Sequence, residues 1–297
     1  MAFLENVDKA KLQKILLITI SALMLAALAL LLAIVIMSIE PAGPTTSDIE
    51  YKDYTVTDKD LATGSLVLVD NDHEYNYEFS EEELLVWGPY RDENLEKDED
   101  GAKLNEYYMN AKNQMKLTKE AMAAAHNMLV AAEAAVKKDD ILIAYTYGYN
   151  NADSKEYKSA LMFTVANYDG NAIDAAYTEW FDANAVAYGF VESFEDAYRY
   201  VGAVHAKYMT DNKLSLANYI SFLKDETDAE AVLKVKDAAG AEYAIYYVPA
   251  QAGETIKVPT EGDYTISGTN EGGVVVTVSL AKKSTRINFI ARGYHGQ

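Results

Sequence analysis

Cysteine is absent from the 297-residue chain, and basic residues are scarce. Without cysteine the protein can form neither disulfides nor a thiolate nucleophile, and it cannot bind zinc through cysteine. Lysine and arginine number 26 against 46 aspartates and glutamates, which gives a formal net charge of −20 at pH 7. This balance excludes nucleic acid as a partner, because phosphates attract basic side chains. It also disfavours docking on anionic lipid.

Histidine is the other scarce residue with chemical consequences. The four histidines are His73, His126, His205 and His295, and no two of them have the spacing of a metal-binding pair. The chain also lacks a G-x-S-x-G nucleophile elbow and a P-loop. The common local motifs of hydrolases and nucleotide-binding proteins are therefore missing.

A long uncharged run covers residues 15–39. Crossing a bilayer takes about 20 apolar residues, whereas the apolar part of a signal peptide has about 7–15 and leads to a small-residue cleavage site. The run is too long and has no such site, so we expect an uncleaved, single-pass membrane anchor. A buried core helix is the weaker alternative, because the run is apolar on every face. Lys9, Lys11 and Lys14 precede the run, which places residues 1–14 in the cytoplasm and the rest of the chain outside the cell.

The part after this run is predicted to be an α+β ectodomain. It divides into a linker (40–60), a core (61–226) and a small β-sandwich-like module (227–297). Apolar residues recur at spacings of three and four along 104–137, which predicts a long amphipathic helix in the core. Alternating apolar patterns separated by Gly, Asn and Pro predict the strands of the module. Further core elements are predicted as strands at 65–69, 141–147 and 161–166 and as helices at 172–188 and 216–223.

Several segments together resemble one enzyme family. The stretch 198–206 reads Y-R-Y-V-G-A-V-H-A. It is similar to the R-Y-V-G-x-x-H-A segment of the VanY-like D-alanyl-D-alanine carboxypeptidases, zinc peptidases that trim cell-wall stem peptides. Segments 64–73, 184–191 and 214–220 resemble other parts of this family in the same order, and the last module resembles an appended C-terminal module of clostridial members. The family-motif positions that the chain retains are Gly148, Tyr149, Ser154, Arg199, Tyr200, Gly202 and His205.

The resemblance implies a catalytic zinc, yet the positions that would hold it are substituted. Counting the S-x-H-x-x-G-x-A-x-D motif from Ser154 puts Glu156 at the first histidine and Phe163 at the aspartate. Counting E-x-W-H-x-R-Y back from the retained Arg-Tyr pair puts Phe194 at the general base and Ala197 at the second histidine. Apolar side chains at such positions suit a site filled by packing, which leaves no buried charge to be paired.

These substitutions favour a non-catalytic relative, a pseudoenzyme that needs no cofactor. It would bind or scaffold at the bacterial cell envelope, with a peptidoglycan stem peptide or an envelope protein as its partner. One alternative is an active D-alanyl-D-alanine carboxypeptidase that holds zinc at a displaced site. Another is a structural interaction protein that serves a membrane partner. Glu156, Glu195 and Asp196 could also gather around a hard cation, although solvated surface acids are the commoner interpretation.

Overall fold

The structure is a computed structural model that describes residues 49–94, 115–137, 141–147, 155–167 and 173–280. None of the helices within these residues is long and apolar enough to cross a membrane. The predicted fold class, α+β with an N-terminal transmembrane helix, was wrong in this respect and is corrected to a mixed α/β fold with several sheets. The predicted span at 15–39 lies outside the described residues, as do Gly148, Tyr149, Ser154 and His295.

The described residues form six α-helices and twelve strands, together with three short 3-10 helices. The helices are α1 (Asp58–Ala62), α2 (Trp87–Asn94), α3 (Lys119–Val136), α4 (Ala175–Asn184), α5 (Ala203–Asn212) and α6 (Leu216–Glu226). The strands are β1 (Tyr51–Thr55), β2 (Leu84–Val86), β3 (Lys116–Thr118), β4 (Ile141–Tyr145), β5 (Met162–Asn167), β6 (Phe190–Phe194), β7 (Ala197–Tyr200), β8 (Leu233–Lys236), β9 (Glu242–Pro249), β10 (Thr255–Pro259), β11 (Tyr264–Gly268) and β12 (Gly273–Ser279).

An antiparallel sheet of order β4-β5-β7-β6 forms the centre of the predicted core. Helix α3 packs against it with an alanine- and methionine-rich face, as the spacing of apolar residues predicts. The helix begins at Lys119, because the Thr118 side chain accepts a hydrogen bond from the Ala121 amide and residues 116–118 pair as a strand with β2. It ends before Lys137, whose φ of 60° is left-handed. The part of the predicted helix from 104 to 114 lies outside the described residues.

A second antiparallel sheet, of order β11-β12-β9-β8, forms the predicted module and is covered on both faces. On one face, Tyr246 and Val276 pack beneath the two-stranded sheet β1-β10. On the other, Tyr247 and Val275 join Val204 of α5 and Leu223 of α6 in one apolar cluster. Strand β1 comes from the predicted linker, so the chain before the core completes the module that follows it.

Candidate functional site

Two of the residues assigned to the zinc positions lie on opposite faces of the β4-β5-β7-β6 sheet. Side chains alternate between the faces along a strand. Phe163 is fully buried and packs in the large core, with its ring centroid 5.3 Å from that of Phe190. Ala197 is buried in a different cluster with Tyr157 and Met162. Phe163 and Ala197 therefore face opposite sides of the sheet, and one metal ion cannot contact both positions.

Thr164, and not Phe163, is the β5 residue directly opposite Ala197. Its hydroxyl is hydrogen-bonded to the Tyr157 hydroxyl, so Tyr157, Thr164 and Ala197 come together on one face of the sheet. We call these three residues the zinc-counterpart cluster. Their positions follow from the family motif when it is shifted by one residue, with Tyr157 in place of Glu156 and Thr164 in place of Phe163.

The backbone at Ala160 supports this shift. Ala160 has a φ of 54°, a left-handed conformation that favours glycine. The glycine of S-x-H-x-x-G-x-A-x-D therefore fits Ala160 better than Ser159, and three residues earlier its first histidine falls on Tyr157. Strand alternation was the signal available in the sequence: if Leu161, Phe163 and Val165 face the core, Thr164 faces away from it.

The other acids and rings of this region do not supply a metal site. Phe194, at the position of the general base, is 42% exposed, and its ring centroid lies 6.3 Å from that of Tyr157. Glu156 accepts a hydrogen bond of 2.7 Å from the Ser193 hydroxyl. Burial raises the pKa of Asp196, and the neighbouring charge of Glu195 raises it further. In the part of the chain that the structure describes, no three His, Asp or Glu side chains are grouped so that they could hold a metal ion.

The zinc that the family resemblance implies does not fit the zinc-counterpart cluster. Catalytic zinc takes nitrogen, sulfur or carboxylate ligands, and the cluster offers a phenol, an alcohol and a methyl group. The phenol and the alcohol are hydrogen-bonded to each other. The arrangement satisfies its own polar groups and needs no ion.

Arg199, which the family motif retains, lies on the same side of the sheet and is only 1% exposed. Its guanidinium donates to the carbonyl oxygen of Val67 at 2.8 Å, to that of Ser65 at 3.4 Å and to the Ser159 hydroxyl at 3.2 Å. Burial lowers its pKa. The predicted strand 65–69 is buried but forms no ladder, and Arg199 supplies part of the hydrogen bonding that a neighbouring strand would have given.

The retained His205 links three elements in the interior. One ring nitrogen, Nδ1, lies 2.9 Å from the Tyr219 hydroxyl of α6, and the other, Nε2, lies 3.0 Å from the Thr277 hydroxyl of β12. Burial lowers the pKa of His205 to about 3, so the ring is neutral at physiological pH. Its role is to join α5 to α6 and to the second sheet.

The retained Tyr200 and Gly202 line a cavity of about 530 Å³ between the two four-stranded sheets. Ser65, Tyr75, Ala203 and Val204 line it from the core, whereas Ile266 and Thr277 line it from the second sheet. No sequence pattern predicted this cavity, because the residues that line it are far apart along the chain.

Comparison with known proteins points to one group of peptidases. No protein-family model matches the chain. A D-alanyl-D-alanine carboxypeptidase of Enterococcus faecium is 32% identical over 140 residues, so the match spans 43% of this chain and 45% of that protein's length. The crystal structure of the vancomycin resistance D,D-dipeptidase VanXYg, in complex with a D-Ala-D-Ala phosphinate analogue, superposes with a TM-score of 0.57 at 20% identity. The superposition covers 77% of this chain and 99% of the VanXYg chain, which shows a shared fold.

Proposed function

Because the chain is related to the VanY-like D-alanyl-D-alanine carboxypeptidases, we propose that it is a non-catalytic relative that binds peptidoglycan stem peptides. The observation that carries this proposal is the zinc-counterpart cluster. Tyr157 and Thr164 satisfy each other by a hydrogen bond, and Ala197 offers no ligand atom. Without ligand atoms for zinc, the cluster cannot activate a water molecule in the way of this family.

The ligand class comes from the relatives by analogy. The VanXYg structure contains an analogue of D-Ala-D-Ala. One fold can host different functions, so binding can remain in a relative whose catalytic ligands are lost. An extracellular location, which would give access to stem peptides, stays a prediction.

The first test measures hydrolysis and binding on the full chain. With added zinc, we expect no release of D-alanine from a peptide ending in D-Ala-D-Ala, and we expect saturable binding of that peptide by calorimetry. D-alanine release that a chelator abolishes would overturn the non-catalytic assignment. Absence of binding at millimolar peptide would overturn the peptide-recognition part.

A metal-binding variant tests the location of the lost site. The triple substitution Tyr157→His, Thr164→Asp and Ala197→His places three zinc ligands on one face of the sheet. We expect it to bind zinc stoichiometrically. The matched control, Glu156→His, Phe163→Asp and Ala197→His, should not, because Phe163 faces the opposite side. Equal zinc binding by the two variants would contradict the assigned positions.

A further inference from the structure

The cavity between the two four-stranded sheets has the size of a small-molecule site. Its volume of about 530 Å³ falls within the range of about 300–1,000 Å³ that is usual for ligand pockets. Tyr157, Thr164 and Ala197 are not among the described residues that line it. The cavity is therefore distinct from the zinc-counterpart cluster and is a candidate site for a second ligand.

Aromatic rings line this cavity from both sides of the junction. Tyr75 and Phe79 are stacked, with their ring centroids 5.9 Å apart and an angle of 23° between the ring planes. Tyr200 comes from β7 of the first sheet, and Tyr243 comes from β9 of the second. The face of an aromatic ring carries partial negative charge, which attracts polarised C–H groups. The walls therefore favour a ligand that presents C–H groups on its faces.

Hydroxyl groups in the same walls are available to a ligand. The hydroxyls of Ser65 and Tyr200 form no hydrogen bond with another described residue. Burial raises the pKa of Tyr200, and the neighbouring Glu120 and Tyr243 raise it further, so its hydroxyl lies near two other residues of the cavity wall. A purely apolar ligand would cover these polar groups without pairing them, which costs free energy. A ligand with its own hydroxyls suits this wall better.

The charges that line the cavity cancel. Among the described lining residues, two lysines, Lys59 and Lys119, stand against two glutamates, Glu83 and Glu120. Lys59 is paired with Glu83 at 2.5 Å. Burial lowers the pKa of His205, which also lines the cavity, to about 3, so that its ring adds no charge. A wall without net charge attracts neither an anion nor a cation over the other, which favours an uncharged ligand.

We propose that this cavity binds a neutral sugar in its hexopyranose form. The C–H groups on the faces of the ring pack against the aromatic side chains, and the hydroxyls around its edge bond with Ser65, Tyr200 and the carboxylate of Glu120. A free sugar and the end of a glycan chain share this chemistry. The site uses none of the zinc-counterpart residues, so it does not depend on the function proposed above.

The experiment titrates the full chain with four probes and follows binding by NMR or calorimetry. The probes are glucose, N-acetylglucosamine, glucuronic acid, which adds a negative charge, and cyclohexanol, a six-membered ring with a single hydroxyl. We expect at least one of the two neutral sugars to bind saturably, and the charged and apolar probes to bind at least tenfold more weakly than that sugar. Absence of saturable binding of both neutral sugars at tens of millimolar would overturn the proposal. Comparable or tighter binding of glucuronic acid or cyclohexanol would also overturn it.

The β-1,4-linked dimers of the two neutral sugars distinguish the two sources of the ligand. A dimer that binds at least as tightly as its monomer supports a glycan chain whose end enters the cavity. A dimer that binds more weakly supports a free sugar, because the second ring then has no room beside the first.

Two variants locate the site. Tyr200→Phe removes one hydroxyl and keeps the ring, whereas Phe79→Leu removes a ring and keeps an apolar side chain. We expect each to weaken sugar binding about fivefold, as loss of a neutral hydrogen bond or of an aromatic contact does. The urea midpoint of each variant shows whether it is folded.

The matched controls are Tyr188→Phe and Phe194→Leu, which make the same kinds of change at residues that do not line the cavity. Both should bind sugar as the unaltered chain does. The triple variant at the zinc-counterpart cluster should also keep sugar binding, which separates this site from the stem-peptide site. Unchanged affinity in folded Tyr200→Phe and Phe79→Leu would contradict the assigned location.

Discussion

Polar side chains find their hydrogen-bond partners nearby in the chain at the zinc-counterpart cluster, but in distant segments at the junction between the two four-stranded sheets. In the cluster, the Tyr157 and Thr164 hydroxyls satisfy each other within a short stretch of chain. At the junction, polar contacts join distant segments: Thr277 to His205, and Asn270, whose side chain donates to the carbonyl oxygen of Leu68 at 3.1 Å.

This contrast separates a site closed by local packing from a junction that holds two parts of the chain together. A locally satisfied pair can arise by a few substitutions, because no other element has to move. Contacts between distant segments form only when both sheets are in place. The second sheet is therefore an integral part of the fold, although the family resemblance presents it as an appended module.

The largest expected effect follows from removing the second sheet. A chain that ends at Glu226 loses Tyr247 and Val275 from the apolar cluster that buries Val204 and Leu223. We expect it to lose the cooperative transition in urea that the full chain shows, which amounts to the entire stability of a typical domain, about 5–15 kcal/mol. A truncated chain that still unfolds cooperatively at a similar midpoint would show that the two parts are independent.

Two phenylalanines assigned to family positions provide a matched pair of substitutions. Phe163→Ala should reduce the free energy of unfolding by about 3–5 kcal/mol, because a buried ring leaves a cavity in the core. Phe194→Ala should cost less than about 1 kcal/mol, because its ring is 42% exposed at the sheet edge. Urea unfolding of both variants checks the difference. Similar losses of stability in the two variants would contradict the burial of Phe163 in the core and the exposure of Phe194.

Periodicity in the sequence predicts most of the local elements. The strands at 141–147 and 161–166 and the helix at 216–223 correspond to β4, β5 and α6 within a few residues. The predicted helix 172–188 corresponds to α4 followed by a 3-10 turn that ends at Gly189, where φ is 86°. Such elements follow from the spacing of apolar residues and from residues that stop helices.

Pairing between distant segments was not predictable in this way. Strand β1 pairs with β10, about two hundred residues later, and nothing in 51–55 alone identifies that partner. Counting along the motif also chose Glu156 and Phe163 instead of their neighbours Tyr157 and Thr164, for a related reason. Counting from Ser154 ignores the left-handed backbone at Ala160, and a shift of one residue in a strand moves a side chain to the other face.

The junction should lose stability in acid through His205. The folded state keeps this ring neutral down to a pKa of about 3, whereas the unfolded chain takes up a proton near pH 6.5. Stability is therefore complete above pH 6.5 and falls at lower pH, by up to about 1.4 kcal/mol per pH unit between 6 and 4. His205→Gln cannot titrate and can still bond with Tyr219 and Thr277, so its urea midpoint should vary less over this range. Parallel pH profiles for the two proteins would contradict a buried, neutral His205.

The smallest effect on stability is expected at the surface edge of the same junction, and its dependence on pH is opposite to that of His205. His73 lies between Asp70 and Glu271, with its ring nitrogens 2.8 Å from each carboxylate, and Glu271 also pairs with Lys224 at 3.3 Å. Burial by itself lowers the pKa of His73, but the two carboxylates outweigh it and raise the pKa above the ordinary value. The stabilisation is thus complete below pH 6.5 and is lost as the pH rises through the folded-state pKa.

We expect His73→Gln to remove this dependence and to cost less than about 1 kcal/mol at pH 6, because the ion pairs are partly exposed to solvent. The difference in urea midpoint between the unaltered chain and the variant should shrink from pH 6 to pH 8 and should also shrink in high salt. The control Lys207→Gln removes an exposed ion pair on α5 that has no histidine, so its midpoint difference should not change over this pH range. A His73→Gln difference that is constant from pH 6 to pH 8 would mean that His73 joins the two segments as a neutral hydrogen-bonding group. The junction would then depend on apolar burial and on neutral polar contacts alone.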